Sequence, residues 1–277
     1  MSGALSRTLG TARRMLAIQR QYVRIGWIRK SQFRVEFINQ VLMDCVFYVS
    51  FILTFEFLFE LGGSGDAALD LGGWTRPEMR LYLGFAFVSD AVLMTLLGQQ
   101  WHFGADLKDG KLDAFRTKPG PTAYLYFFQR FSPEGLTNLI IASGWLTYAL
   151  VGLEPGSVAH GWLLPLALLH TAFVQIFLVI GLACFELFVL HSGIGHLVSH
   201  IAGSLGERPL EVYPSALSRF LLFVLPVGAT AWYPSSLLLG KLDLPFAAVY
   251  PLATVTFAWV AATVFRRGLR RYDSAMG

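Results

Sequence analysis

The sequence predicts an all-α integral membrane protein with six transmembrane helices, and three observations carry that expectation. First, 55% of the 277 residues are hydrophobic and only 14% are charged, whereas a soluble domain needs about 25% charged residues to cover a water-facing surface. Second, the mean hydropathy is +0.53, and the apolar residues gather into runs near the ~20 residues that cross ~30 Å of hydrocarbon. Third, lysine and arginine fall between those runs. The net charge of +4 therefore follows from membrane topology and calls for no nucleic-acid partner.

The N-terminal arm, residues 1–35, reads as an interfacial amphipathic helix. At 100° per residue, Met15, Ile18, Tyr22, Ile25 and Phe33 fall on one side while Arg13, Arg20 and Arg24 fall opposite. Arg29 on the apolar side and Trp27 near the basic side break the pattern. The basic start has no early apolar core or small-residue cleavage site, so no cleavable signal peptide is expected.

The spans follow in order: Phe37 to Phe59, Leu81 to Leu97, Leu136 to Val151, Trp162 to Leu190, Phe220 to Leu239 with Pro226 and Pro234 inside it, and Phe246 to Phe265. Cytoplasmic connections retain basic residues. With both termini inside, the arm, the second-to-third loop, the fourth-to-fifth loop with Arg208 and Arg219, and the Arg-rich tail are all cytoplasmic. Only Arg76, Arg80 and Lys241 are then left outside. The longest outer connection, Leu61 to Pro77, is too short for a separate domain and carries Trp74 as an interface anchor. One membrane domain covers residues 1–277. Cys45 and Cys184 sit inside apolar runs and read as small buried hydrophobes.

No phosphate-binding loop is present. The stretch Gly104 to Leu112 approaches G-x-x-x-x-G-K-[ST], but five residues separate its glycines and Leu112 stands where the magnesium-holding hydroxyl belongs. The chain is read as a non-enzyme without a cofactor, and any ATP must bind another polypeptide. The alternative is a membrane-embedded metalloenzyme. His196 and His200 are four apart, with His191 just before them, a spacing able to hold a metal on one helix face. Such a site needs further ligands from a chain that has only six histidines.

Asp44, Glu56, Asp90 and Glu186 interrupt apolar runs, where a charge costs at least ~2.5–3.5 kcal/mol. They either line a polar substrate cavity, Asp44 and Asp90 being the candidates, or pair with arginine, serine or backbone at helix contacts. The loop of residues 102–121 is the most patterned polar segment. Leu107, Leu112 and Phe115 alternate with Asp106, Lys108, Asp109, Lys111 and Asp113, and Pro119-Gly120-Pro121 stops any helix before the next span. A short helix of this kind offers a protruding surface to a soluble partner.

Asp109-Gly110-Lys111-Leu112-Asp113, followed by Lys118-Pro119, resembles the G-x-L-D…R/K-P signature of bacterial type-2 ATP-binding-cassette (ABC) export permeases. The daunorubicin- and viologen-exporter subfamily is the nearer likeness. Arg208-Pro209 with Tyr213-Pro214, Leu225-Pro226, Trp232-Tyr233-Pro234 and the ending Gly268-Leu269-Arg270-Arg271-Tyr272 extend the resemblance along the chain. Ala114-Phe115-Arg116-Thr117 departs from it where relatives are richer in leucine. The resemblance implies a six-span permease subunit in the bacterial inner membrane, moving substrate outward. Its coupling loop, with Asp106, Lys108, Asp109, Lys111, Leu112 and Asp113, would insert into a cytoplasmic ATPase dimer that holds Mg-ATP. A second permease, identical or related, completes the transporter, and Pro226, Trp232, Tyr233 and Pro234 would form the exit gate.

Overall fold

The computed structural model describes residues 2–61, 71–188 and 194–272, and every regular element among them is helical. The chain begins with α1 (Ser2–Gln32), then α2 (Arg34–Leu61) after a break at Phe33. α3 (Arg76–Leu96) starts with a proline in its first turn and a capping box. In that box the Thr75 N–H donates to the Glu78 carboxylate at 2.8 Å, satisfying a donor that the first helical turn leaves free. A 3-10 turn, Gly98–His102, leads into three short helices, α4 (Phe103–Lys108), α5 (Asp113–Arg116) and α6 (Thr122–Phe127). The rest comprises α7 (Glu134–Val151), α8 (Leu164–Phe188), α9 (Ile194–Gly206), α10 (Ser215–Phe223), α11 (Trp232–Leu238) and α12 (Leu244–Arg271).

Among the described residues, four segments are long and apolar enough to cross a membrane: Arg34–Leu61, Arg76–Leu96, Gly161–Phe188 and Leu244–Arg271. They match the first, second, fourth and sixth expected spans. The third corresponds to α7, which is shorter and carries Glu134 and Asn138. α3 forms the centre, with Leu81, Tyr82, Leu83 and Phe85 buried against α7 and α8. α2, by contrast, buries only Tyr48 and Phe55 and exposes Leu42, Met43, Phe47 and Leu53, a surface suited to lipid.

The fifth expected span is not one crossing helix. α10 and α11 are separated by residues 224–231, and the pair starts and finishes at the same end of the molecule. At its start, Ser218 donates to the Leu210 carbonyl beside Glu211, which holds Trp74. At its finish, the His160 N–H donates to the Leu238 carbonyl, and Lys241 reaches Glu78. The turn penetrates as far as α8, where the Thr171 hydroxyl donates to the Thr230 carbonyl at 2.9 Å. Pro226 supplies no N–H, and the turn closes through Gly228 N–H to the Leu221 carbonyl. Buried irregular backbone of this kind is tolerated in a membrane protein only where protein surrounds it.

The antiparallel partner of α8 is instead α9. Its Ala202 shares a core with Val174, Leu178 and Leu182, and its last carbonyl, Gly206, accepts a hydrogen bond from the Tyr82 hydroxyl at 2.6 Å. Tyr82 lies near the start of α3, beside Trp74. The segment with Arg208 and Arg219 therefore sits at the Trp74 end, opposite the 102–121 loop with which the charge count had grouped it. The hydropathy of residues 220–239 suits burial in protein as well as in lipid, which is why the run imitates a span.

α1 packs along the loop end. The Tyr22 hydroxyl donates to the Leu125 carbonyl at 3.2 Å, and the Tyr124 hydroxyl donates to the Met15 carbonyl at 3.0 Å. Gly26 permits the closest approach, since a Cβ there would stand 2.5 Å from the Phe131 carbonyl oxygen. Met15, Ile18 and Tyr22 are half-buried while Arg13, Arg20 and Arg24 are exposed, as the amphipathic pattern predicts, but Ile25 and Phe33 of the same stripe are exposed. The apolar stripe is covered at least partly by the protein's own loop. Of the two cysteines read as buried, Cys184 is, but Cys45 is half-buried on the open face of α2.

Candidate functional site

The loop of residues 102–121 is a closed unit built on one carboxylate. Asp106, only 8% exposed, accepts hydrogen bonds from the Gln99 amide at 2.6 Å, the Tyr126 hydroxyl at 2.8 Å and the Lys111 ammonium at 2.9 Å. Burial pushes the Asp106 carboxyl up, but the bonds from Lys111 and Tyr126 outweigh it and hold the group below the usual carboxylate range. Its hydrogen bonds to Asp106, and secondarily to Asp109, hold the Lys111 ammonium above its ordinary value. Burial raises the Tyr126 phenol, which stays a donor.

Leu107 and Leu112 are buried with Phe103, Tyr126 and Phe127, and Leu112 is 0% exposed. Gly110 adopts φ 67°, a left-handed turn that a side chain disfavours. The Tyr272 hydroxyl, just past α12, donates to the Leu107 carbonyl at 2.9 Å, fastening the last helix to the loop.

The six residues read as one coupling surface thus divide. Asp106 and Leu112 face inward and set the loop's shape. Lys108, Asp109 and Lys111 are exposed, and Asp113 is half-buried and paired with Arg116 at 3.3 Å. Ala114 and Lys118 extend the exposed strip. Gln99 and Tyr126, which hold Asp106, escaped the sequence reading. The polar pair Gln99-Gln100 at the end of an apolar run was the available signal.

Asp44 and Asp90 occupy different cavities. Asp90, near the middle of α3, accepts the Tyr48 hydroxyl at 2.8 Å and lines a cavity of about 150 Å³ with Phe47, Phe51, Phe87, Gln175 and Glu207. A cavity of that size accommodates a group such as a single aromatic ring. Asp44 accepts from the Gln40 amide at 2.9 Å and lines a second cavity of about 470 Å³ between α1, α2 and the start of α7. Glu56 is a helix-contact pair. It takes hydrogen bonds from Arg80 at 2.6 and 3.0 Å and also binds Arg76. Glu186 packs across Gly104, whose added Cβ would stand 3.2 Å from the carboxylate.

At the other end of the molecule Tyr233 is buried against His170 and Tyr250, and its hydroxyl donates to the Ala247 carbonyl at 2.7 Å. Pro234 is buried in α11. Trp232 and Trp74 donate their indole N–H groups to the two oxygens of Glu211, at 2.7 and 3.0 Å. Glu211, a clamp that the sequence reading did not single out, thereby ties the α10–α11 pair to the start of α3. Pro226, Trp232, Tyr233 and Pro234 belong to this one re-entrant structure.

His191 and the side chain of His196 lie outside the described residues, and His200 is exposed. Among the described residues, no three His, Cys, Asp or Glu side chains come together to hold a metal.

A family model described as ABC-2 family transporter protein matches residues 45–276. No curated protein and no solved structure matches the chain.

Proposed function

Because the chain belongs to the ABC-2 family of transporter proteins, we propose that this permease subunit works as an exporter driven by a separate cytoplasmic ATPase dimer carrying Mg-ATP. The observation that carries the reading is the shape of the 102–121 loop. A network centred on the buried Asp106 carboxylate, with Lys111 and Tyr126 as donors, holds Lys108 and Asp109 out on a fixed turn. A rigid protrusion can transmit a rigid-body push, whereas a slack linker would absorb it.

The proposed membrane path uses α2, α3, α7, the Gly161–Phe188 segment, α9 and α12, with both termini and the loop in the cytoplasm of a bacterial cell. α9 alone covers about 20 Å at ~1.5 Å per residue, less than the ~30 Å of the hydrocarbon. The α10–α11 pair then lies at the outer surface as the exit gate, with Tyr233 and Pro234 buried in it and Trp232 held by Glu211. Positive charge still favours the inside, because the arm, the loop and the tail remain there. α2, mostly unburied, offers a face for a second permease copy or relative, as in the daunorubicin- and viologen-exporter subfamily. The Asp90 cavity is the proposed substrate position.

ATP binding closes the ATPase dimer and moves the loop. Motion through the Tyr272–Leu107 and Glu186–Gly104 contacts then shifts α12 and α8 between two packings. The test is the reversed pair Lys108→Glu and Asp109→Arg in the complex reconstituted with its ATPase. Both side chains are exposed, so folding should be unchanged while permease-stimulated ATP hydrolysis falls about tenfold or more, a loss of about 1.4 kcal/mol of coupling. Undiminished stimulation with normal folding would remove the loop from its coupling role.

A further inference from the structure

Arg29, the residue that spoils the amphipathic pattern of α1, lines two cavities. One, of about 470 Å³, opens towards Phe33, Met94 and Asp44, and the other, of about 520 Å³, opens towards Tyr22, Phe115 and Asp106. Arg130 and His102 line both cavities as well, so three nitrogen-bearing side chains form the wall between them. Arg29 and Arg130 are half-buried and His102 is exposed.

The acids that share these cavities have other partners, although one Glu134 oxygen is buried without a hydrogen bond. Glu36 and Glu134 bind Lys30 at 3.2 and 3.0 Å, Asp44 accepts from Gln40, and Asp106 is taken by Lys111, Gln99 and Tyr126. Among the described residues, no carboxylate lies within ion-pairing distance of Arg29 or Arg130. A half-buried guanidinium without a counter-ion is costly and presents a fork suited to phosphate oxygens. The surrounding Tyr22, Phe33, Met94 and Phe115 add apolar surface beside the cations, so the site joins a charged wall to a greasy floor.

We infer that Arg29 and Arg130, assisted by His102, bind a phosphate group, that of an anionic glycerophospholipid of the inner leaflet, in the cleft between α1 and the 102–121 loop. The choice of a lipid over a free phosphate rests on the proposed placement of α1 along that leaflet. Bound there, the headgroup bridges α1 to the segment that carries Asp106, and anionic lipid steadies the loop in the position where its partner meets it.

The test uses the full-length protein in a mild detergent, with native mass spectrometry as the readout. The probes are short-chain phosphatidylglycerol, phosphatidylcholine of the same chain length, and inorganic phosphate. Phosphatidylglycerol should bind and phosphatidylcholine should not. Arg29→Gln and Arg130→Gln should each weaken phosphatidylglycerol about tenfold, the scale of one charge-assisted contact. Arg24→Gln, on the exposed side of α1, should leave it unchanged. Equal binding of phosphatidylcholine, or undiminished phosphatidylglycerol binding in Arg29→Gln/Arg130→Gln, overturns the site. If inorganic phosphate binds in an Arg29- and Arg130-dependent way and phosphatidylglycerol does not, the phosphate site stands and the leaflet placement of α1 falls. Should the double variant fail to fold, Arg29→Lys and Arg130→Lys keep the charge and lose the fork. They should still weaken binding severalfold, and unchanged affinity overturns the inference.

Discussion

At the loop end, Asp106 gathers Gln99, Lys111 and Tyr126, which lie 7, 5 and 20 residues away in the chain. At the other end Glu211 takes the indoles of Trp74 and Trp232 across 137 and 21 residues, and Lys241 reaches Glu78 across 163. Both ends use a carboxylate as their organiser, yet the first closes a short piece of chain and the second joins segments from opposite halves of the protein. Closing a longer loop costs only slightly more entropy per doubling, about 0.6 kcal/mol, so the two differ less in strength than in reach. A local network fixes the shape of one protruding element. A long-range network fixes how helices stand relative to one another, which is what a gate must change.

The sharpest way to break this contrast is Asp106→Ala, which leaves an amide and a phenol without their acceptor and Lys111 with Asp109 alone. It should cost about 2–4 kcal/mol, visible in detergent unfolding, and should open residues 108–118 to protease before the helices unfold. Cleavage that appears only with global unfolding would mean the loop is not a separate unit. Glu211→Ala should cost less, about 1–2 kcal/mol, since each indole loses one hydrogen bond and Trp232 can meet water. Its signature is a lowered global unfolding temperature with no new loop cleavage.

Tyr126→Phe removes a single donor and should cost about 0.5–1.5 kcal/mol. It tests whether Lys111 and Gln99 suffice to hold Asp106. The smallest effect is that of pH. Asp106 is held below its ordinary value of 3.8, so its contribution is complete above that value and is lost only as pH falls through the lower folded one. Loop protection against protease should therefore be constant through neutral pH and fall only below about pH 4. Protection lost near pH 6 would point to a different organiser.

The parts legible in the sequence are those set by composition and short spacing. Hydropathy runs located α2, α3, α8 and α12 because each keeps most of its length apolar. Period 3.6 assigned Met15, Ile18 and Tyr22 to the covered side of α1. The pattern Leu107, Leu112 and Phe115 marked the loop as a folded element, although which of its polar residues face in could not be read. Asp106 and Asp109 are the same residue type three positions apart, and only the arrival of Gln99 and Tyr126 separates them.

The sequence by itself determined that the chain is helical, belongs in a membrane, keeps its basic residues between the apolar runs and carries one patterned polar loop. Each of these depends on transfer of local segments out of water, which is a property of the segment. Only the tertiary structure decided that residues 220–239 fold back as α10 and α11, that α9 runs beside α8, and that Arg29 and Arg130 line the same two cavities. An apolar run satisfies its burial equally well against lipid or against protein. Which one it meets depends on partners such as Thr171, Tyr82 and Glu211 that lie far away along the chain.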